Sequence, residues 1–133
     1  MEVRTLIGVL FILLSTSLNA QTRDIPRVHN VYDGDTFRGY TSPNRHEPIR
    51  IKGVDTPEIK GACDSEIKAA YRARDYLKKR LSNAKSIQLL NPGRDKYNRV
   101  LAVVLVDGQD IAQDIIQNGY GRKWRGKRES WCE

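Results

Sequence analysis

Ile49 and Ile51 fall on one side of an extended segment and Arg50 and Lys52 on the other, a period-two alternation that predicts a half-buried strand over 49–54. Two further strands are expected before it, Arg27 to Tyr32 and Thr36 to Thr41, the second running into a turn-rich loop, SPNRHEP, at 42–48. Then the period changes. From a cap at Asp64 or Ser65 to about Asn83, Ile67, Ala70, Tyr71, Leu77 and Leu81 recur near helical spacing, while Lys and Arg fill the other, solvated face. Strands return at 85–90 and 99–106; the run LAVVLV in the second is apolar on both faces, as in a strand covered on both sides. Asp107 and Gly108 make a turn, and Asp110 with Gln113 resembles a capping box for a short helix carrying Ile111, Ala112, Ile115 and Ile116, ended by Gly119. The order β-β-β-α-β-β-α predicts a mainly β (α+β) domain built on a small barrel, since a parallel sheet needs more helices between its strands.

The N-terminal stretch MEVRTLIGVLFILLSTSLNA fits none of this. Arg4, the apolar run from Leu6 to Leu14 and the small Ala20 give the pattern of a secretory signal peptide over 1–20. The run is too short for the ~20 apolar residues that a membrane-spanning helix needs. The mature domain is therefore expected over 21–133, secreted or periplasmic, monomeric and without stable membrane association. Its charge stays at +7, because the leader removes one acid, Glu2, and one base, Arg4. Such an excess draws polyanions: nucleic acid, heparin-like sugars or anionic membranes. In an oxidising compartment the only cysteines, Cys63 and Cys132, are expected to form an intrachain disulfide. They have no neighbouring histidine at zinc spacing, and His29 and His46 read as surface or strand residues rather than ligands.

Candidate chemistry lies where polar residues break the strand pattern. Asp33 and Asp35 flank Gly34 at one strand junction, and Asp55 and Glu58 in VDTPE follow directly on another strand end. Aspartate and glycine are poor strand formers, and Asp-Gly and Asp-Thr-Pro are also ordinary turn chemistry, so each motif taken singly reads as structural as readily as chemical. If the junctions meet, three or four carboxylates converge, and oxygen ligands without histidine favour calcium or magnesium over zinc. An EF-hand is excluded, because a loop counted from Asp33 has Arg38 where glycine is required. Arg50 projects from the strand leading into VDTPE, and Arg99 follows the turn NPGRDKYN. Acids that hold a cation beside guanidinium groups are what phosphodiester cleavage requires.

YDGDT at 32–36, RIKGVDTPE at 50–58 and DKYNR at 95–99 resemble, in order and spacing, the motifs of the staphylococcal nuclease family. The resemblance covers about residues 27–122. It implies a five-stranded OB-fold barrel with two main helices packed on it, and a Ca²⁺-dependent nuclease that cuts DNA and RNA to leave 3′-phosphate ends. By motif, Asp35 and Asp55 correspond to calcium carboxylates and the backbone carbonyl of Thr56 to a further ligand, with Asp33 behind them. Glu58 matches the residue that positions or deprotonates water, Arg50 and Arg99 the phosphate-contacting pair, and Lys96 and Tyr97 the contacts to a terminal phosphate. The chain departs from the family in two places. The stretch 59–66 is shorter than the corresponding loop, and YGRKWRGKRESWCE replaces the third helix. There Tyr120 or Trp124 is either a stacking surface or ordinary packing, and a Cys63–Cys132 bridge is expected to pin the tail to the start of the long helix. A noncatalytic OB-fold module that binds nucleic acid, and a cationic protein acting on membranes or acidic polysaccharide, are the alternative classes.

Overall fold

The computed structural model describes residues 7–14 and 20–133; the expected leader over 1–20 lies largely outside them. Residues 7–14 form neither helix nor strand, and no helix among the described residues is long and apolar enough to cross a membrane. In chain order the elements are β1 (Thr22–Asp24), β2 (Val28–Val31), β3 (Thr36–Ser42), β4 (Arg45–Ile51), β5 (Val54–Asp55), α1 (Asp64–Ser82), β6 (Ile87–Arg94), β7 (Val100–Val106), β8 (Gln109–Asp110), α2 (Ile111–Gln117) and β9 (Arg122–Lys123). The main sheet runs β1-β6-β7-β4-β3-β2, with β8 on β7, and β5 pairs with β9 apart from it. Only β4 with β7 is parallel.

The five expected strands are present as β2, β3, β4, β6 and β7 in an α+β fold, but the barrel is not closed. The outermost strands, β1 and β2, do not pair with each other. Between them lies a groove of about 700 Å³, lined by Asp24 to Val31 on one side and by Lys78, Leu81 and Ala84 to Ile87 on the other. Pro26, which has no N–H to give to a ladder, stands in the connection between the two strands. The core inside the curved sheet is Phe37, Ile49, Ile51, Leu77, Leu89, Val104, Ile111 and Ile115, all fully buried.

Several boundaries differ from the sequence reading. Most of SPNRHEP is strand, with Pro43 and Asn44 as the tight turn of the β3–β4 hairpin. Its polar look misleads because Glu47 is buried with its charge satisfied, by the Thr41 hydroxyl at 2.5 Å and Arg94 at 2.8 Å. Pro48 is tolerated because β7 joins β4 only from Ile49 onward. The strand expected over 49–54 ends at Ile51; a turn at Lys52–Gly53 separates it from β5. β6 continues through Asn91-Pro92-Gly93 to Arg94 by means of a bulge. In β7, Val100, Ala102, Val104 and Val106 are buried and Leu101, Val103 and Leu105 half-buried, so its second face is only partly covered.

α1 begins after Cys63, which makes no side-chain cap, so neither Asp64 nor Ser65 is the capping residue. Its buried stripe is Glu66, Ala70, Ala73, Leu77 and Leu81; Ile67 is half-buried, and Tyr71 faces solvent under the Arg74 guanidinium at 4.6 Å. The Asp110 carboxylate caps α2 by accepting from the Ala112 N–H at 2.9 Å.

Candidate active site

Asp33, Gly34 and Asp35 join β2 to β3 where the chain passes under the end of β5. Gly34 is there because nothing larger fits: a Cβ would stand 2.7 Å from Ala73 Cβ and 2.9 Å from Thr56 Cγ2. That close approach sets Asp35 against the other strand exit. Its Oδ2 accepts from the Thr56 N–H at 3.1 Å and lies 3.4 Å from Arg50 Nη2, while its Oδ1 accepts from the Thr36 hydroxyl at 3.0 Å. Asp33 stands behind it, Oδ1 accepting from the Asp35 N–H at 3.1 Å. The two junctions singled out in the sequence thus meet, and Asp33, Asp35, Asp55 and Thr56 are all buried there.

Burial first and the charge of Asp35 second push the carboxyls of Asp55 and Glu58 above their ordinary range; Arg122 opposes the shift at Asp55, and Arg128 at Glu58. The same two causes, burial leading, take Asp33 up to about 8. A carboxyl that holds its proton more tightly folded than unfolded favours the fold at low pH, and that contribution is lost as pH rises through the folded value. Without metal, the protein is therefore expected to lose stability steadily from about pH 4 to about pH 8. Asp33→Asn should flatten this slope of melting temperature against pH; an unchanged slope would contradict the assignment.

A cation is the natural relief for this charge, and the donor set suits one of oxygen-preferring kind. Thr56 Oγ1 adds a buried oxygen with no hydrogen-bond partner. The acids are not drawn into a tight cage, however. Among the described residues only Cys63, Glu66 and Cys132 bring three possible ligand atoms within 4.8 Å of one another, and those cysteines are joined in the expected disulfide. Three of the acids instead lean on arginines: Asp35 on Arg50, Asp55 on Arg122 at 3.4 Å, and Glu58 on Arg128 at 3.0 Å.

Asp33, Asp35, Arg50, Asp55, Glu58 and Arg128 line one cleft of about 760 Å³. Arg99, Lys96 and Tyr97 border it from the loop between β6 and β7. Asp95 shapes that loop, its Oδ1 accepting from the N–H groups of Tyr97 and Arg99, and its Oδ2 holding Arg99 Nε at 2.7 Å. Tyr97 is exposed, with Lys96 Nζ 5.1 Å and the Arg99 guanidinium 5.3 Å from its ring centre. Tyr120 packs face to face on Tyr76 at 4.4 Å, whereas Trp124 lines the cleft. His29 and His46 stack at 3.8 Å on the outside of the hairpin and take no part in the cleft.

Three contributors escape a sequence reading. Arg122 and Arg128 look like members of a solvated basic tail until the tail is seen to fold back. Glu66 lies on a helix start rich in charge, yet it is buried and accepts from the backbone N–H groups of Glu58 and Ala62, fixing the loop that carries Glu58. Its position in the first turn of α1 was the available signal.

The fold and cleft define an OB-like α+β domain in which buried carboxylates, edged by arginines, gather where two strand ends meet. Residues 48–131 match the family described as staphylococcal nuclease homologue, and the chain belongs to that family. It is 30% identical over 121 residues to an uncharacterized endonuclease of Haemophilus influenzae, covering 90% of this chain and 63% of that protein. To the endonuclease YncB of Bacillus subtilis it is 33% identical over 93 residues, 68% of this chain and 43% of the relative. An uncharacterized lipoprotein of Mycoplasma genitalium is 26% identical over 106 residues, 71% and 42% of the two chains. The chain thus spans less than two thirds of the length of these relatives.

Proposed function

We propose that this chain is an exported, calcium-dependent nuclease that hydrolyses DNA and RNA and leaves 3′-phosphate ends. The observation that carries the reading is the meeting, in one cleft, of Asp35, Asp55 and Glu58 with Arg50 and Arg99. Membership of the family and the two endonuclease-named relatives support it. Export rests on the leader pattern, the disulfide and the lipoprotein-named relative.

In this reading Asp35, Asp55 and the Thr56 carbonyl hold calcium, with Asp33 orienting Asp35 through its backbone N–H. Calcium held there would supply Lewis-acid stabilisation of the charge that builds on the phosphate. Glu58 orients a water and takes its proton as the water oxygen bonds to phosphorus; the bond to the 5′-oxygen breaks, and that oxygen takes a proton from solvent water as it leaves. The raised pKa of Glu58 makes it a better base than an ordinary carboxylate. Arg50 and Arg99 offset the charge gathering on the phosphorus oxygens, where a planar fork of donors fits best. Lys96 and Tyr97 contact a terminal phosphate.

Digestion of single- and double-stranded DNA and of RNA with calcium, magnesium or EDTA tests the proposal. Calcium-dependent cleavage yielding 3′-phosphate ends is the expected result. Salt-sensitive DNA binding without cleavage under any metal would replace it with the noncatalytic module.

A further inference from the structure

The tail is built as a closed loop rather than a free end. It is anchored first by β9, which pairs with β5 through Val54↔Lys123 and Asp55↔Arg122, followed by the Trp124 N–H on the Gly53 carbonyl at 3.3 Å. Its far anchor is the Cys63–Cys132 bridge to the start of α1. Arg122 ties the two anchors together: it donates to the carbonyls of Glu129 at 2.6 Å and Ser130 at 3.1 Å, and its guanidinium lies 3.8 Å over the Trp131 ring. Between the anchors Gly126, at φ +84°, turns the chain so that Lys127 and Arg128 return to the cleft.

The cleft therefore has two walls. One is the 95–99 loop; the other is Trp124, Lys127 and Arg128. Trp124 leaves 41% of its surface exposed although its backbone is fixed, the condition for a stacking platform. Residues 121–133 carry five basic side chains against two acidic ones, so the wall is cationic as well as aromatic. Stacking needs an open base face, which an unpaired strand offers and a duplex hides.

We propose that the disulfide-held tail is a second binding wall for a single-stranded polynucleotide, Trp124 stacking on a base beyond the cleaved phosphate and Lys127 and Arg128 holding its backbone. The inference rests on the nuclease reading of the same cleft and adds the strand preference and the residues that set it.

The test is equilibrium binding of labelled oligothymidylates of two and ten nucleotides, with calcium, by Glu58→Gln protein that does not consume them. Adding Trp124→Ala should weaken binding of the ten-mer about tenfold, as loss of one base stack does. Lys127→Ala with Arg128→Ala should make the salt dependence of log Kd less steep by about 1.4, and neither change should weaken the two-mer as much as the ten-mer. All three side chains are at the surface, so the variants are expected to fold. If Glu58→Gln protein binds the ten-mer and the tail variants bind it equally well, the wall is refuted and the nuclease reading stands. If Glu58→Gln protein binds neither oligomer, both fall.

Discussion

Replacing Glu58 by Gln should slow phosphodiester hydrolysis by about two to four orders of magnitude, the usual worth of a positioned general base. Glutamine keeps the shape, and the backbone N–H at position 58 still donates to Glu66, but it cannot take a proton. The loss should appear in kcat, with KM little changed, because the contact matters only as the water reacts. Arg99→Ala should cost about 10²–10³ in kcat, the effect of removing one preset donor from charge that grows in the transition state. Arg99→Lys should restore little, since Asp95 holds the guanidinium by its Nε and so leaves the outer fork free, a geometry that an ammonium cannot copy. Neither change should lower the melting temperature appreciably. Arg128, the partner of Glu58, is largely exposed, so that ion pair adds little to stability. Steady-state rates on a defined oligonucleotide, with melting curves alongside, check both. Near-normal kcat in either alanine or glutamine variant would remove that residue from the chemistry.

Cys132→Ser should destabilise the oxidised protein by about 4 kcal/mol, the chain-entropy value for closing a loop of this length. The bridge spans a sequence separation of 69, with Cα atoms 6.1 Å apart. It matters more here than in a larger protein, because a small open sheet has little core to spare. Urea unfolding of the oxidised parent against Cys63→Ser and Cys132→Ser gives the number directly. A difference below about 1 kcal/mol would mean that Arg122 and the β5–β9 pairing hold the tail unaided, and that the bridge contributes little.

Much of this was legible in the sequence because it depends on local rules. Alternation marked the Ile49–Ile51 part of β4, an unbroken apolar run marked β7, helical spacing marked α1 and a capping box marked α2, and Asp33-Gly34-Asp35 and VDTPE stood out as polar breaks in the strand pattern. The misread parts depend on distant partners. Nothing near Glu47 in the chain says that Arg94 will neutralise it, so a strand looked like a loop. Thr22–Asp24 is polar and exposed and becomes a strand only because β6 offers an edge. Tyr71 keeps helical spacing yet faces solvent, because spacing alone does not fix which side of a broad stripe meets the core. In the site, the carboxylates were visible as unusual local choices. Arg122 and Arg128 were not, since a basic residue in a tail gives no sign of which acid it will meet until the tail is tied back.

The role of the acid cluster is tested most directly by the rate at which the oxidised protein cleaves a single-stranded oligonucleotide as calcium is titrated, measured beside Asp35→Asn. Asp35 links the two strand exits and bears the charge that raises its neighbours. Saturable activation by calcium in the parent, abolished by EDTA and nearly lost in Asp35→Asn, is the expected outcome. Cleavage that ignores calcium and EDTA, or survives Asp35→Asn intact, would show that the acid cluster is not the seat of the reaction.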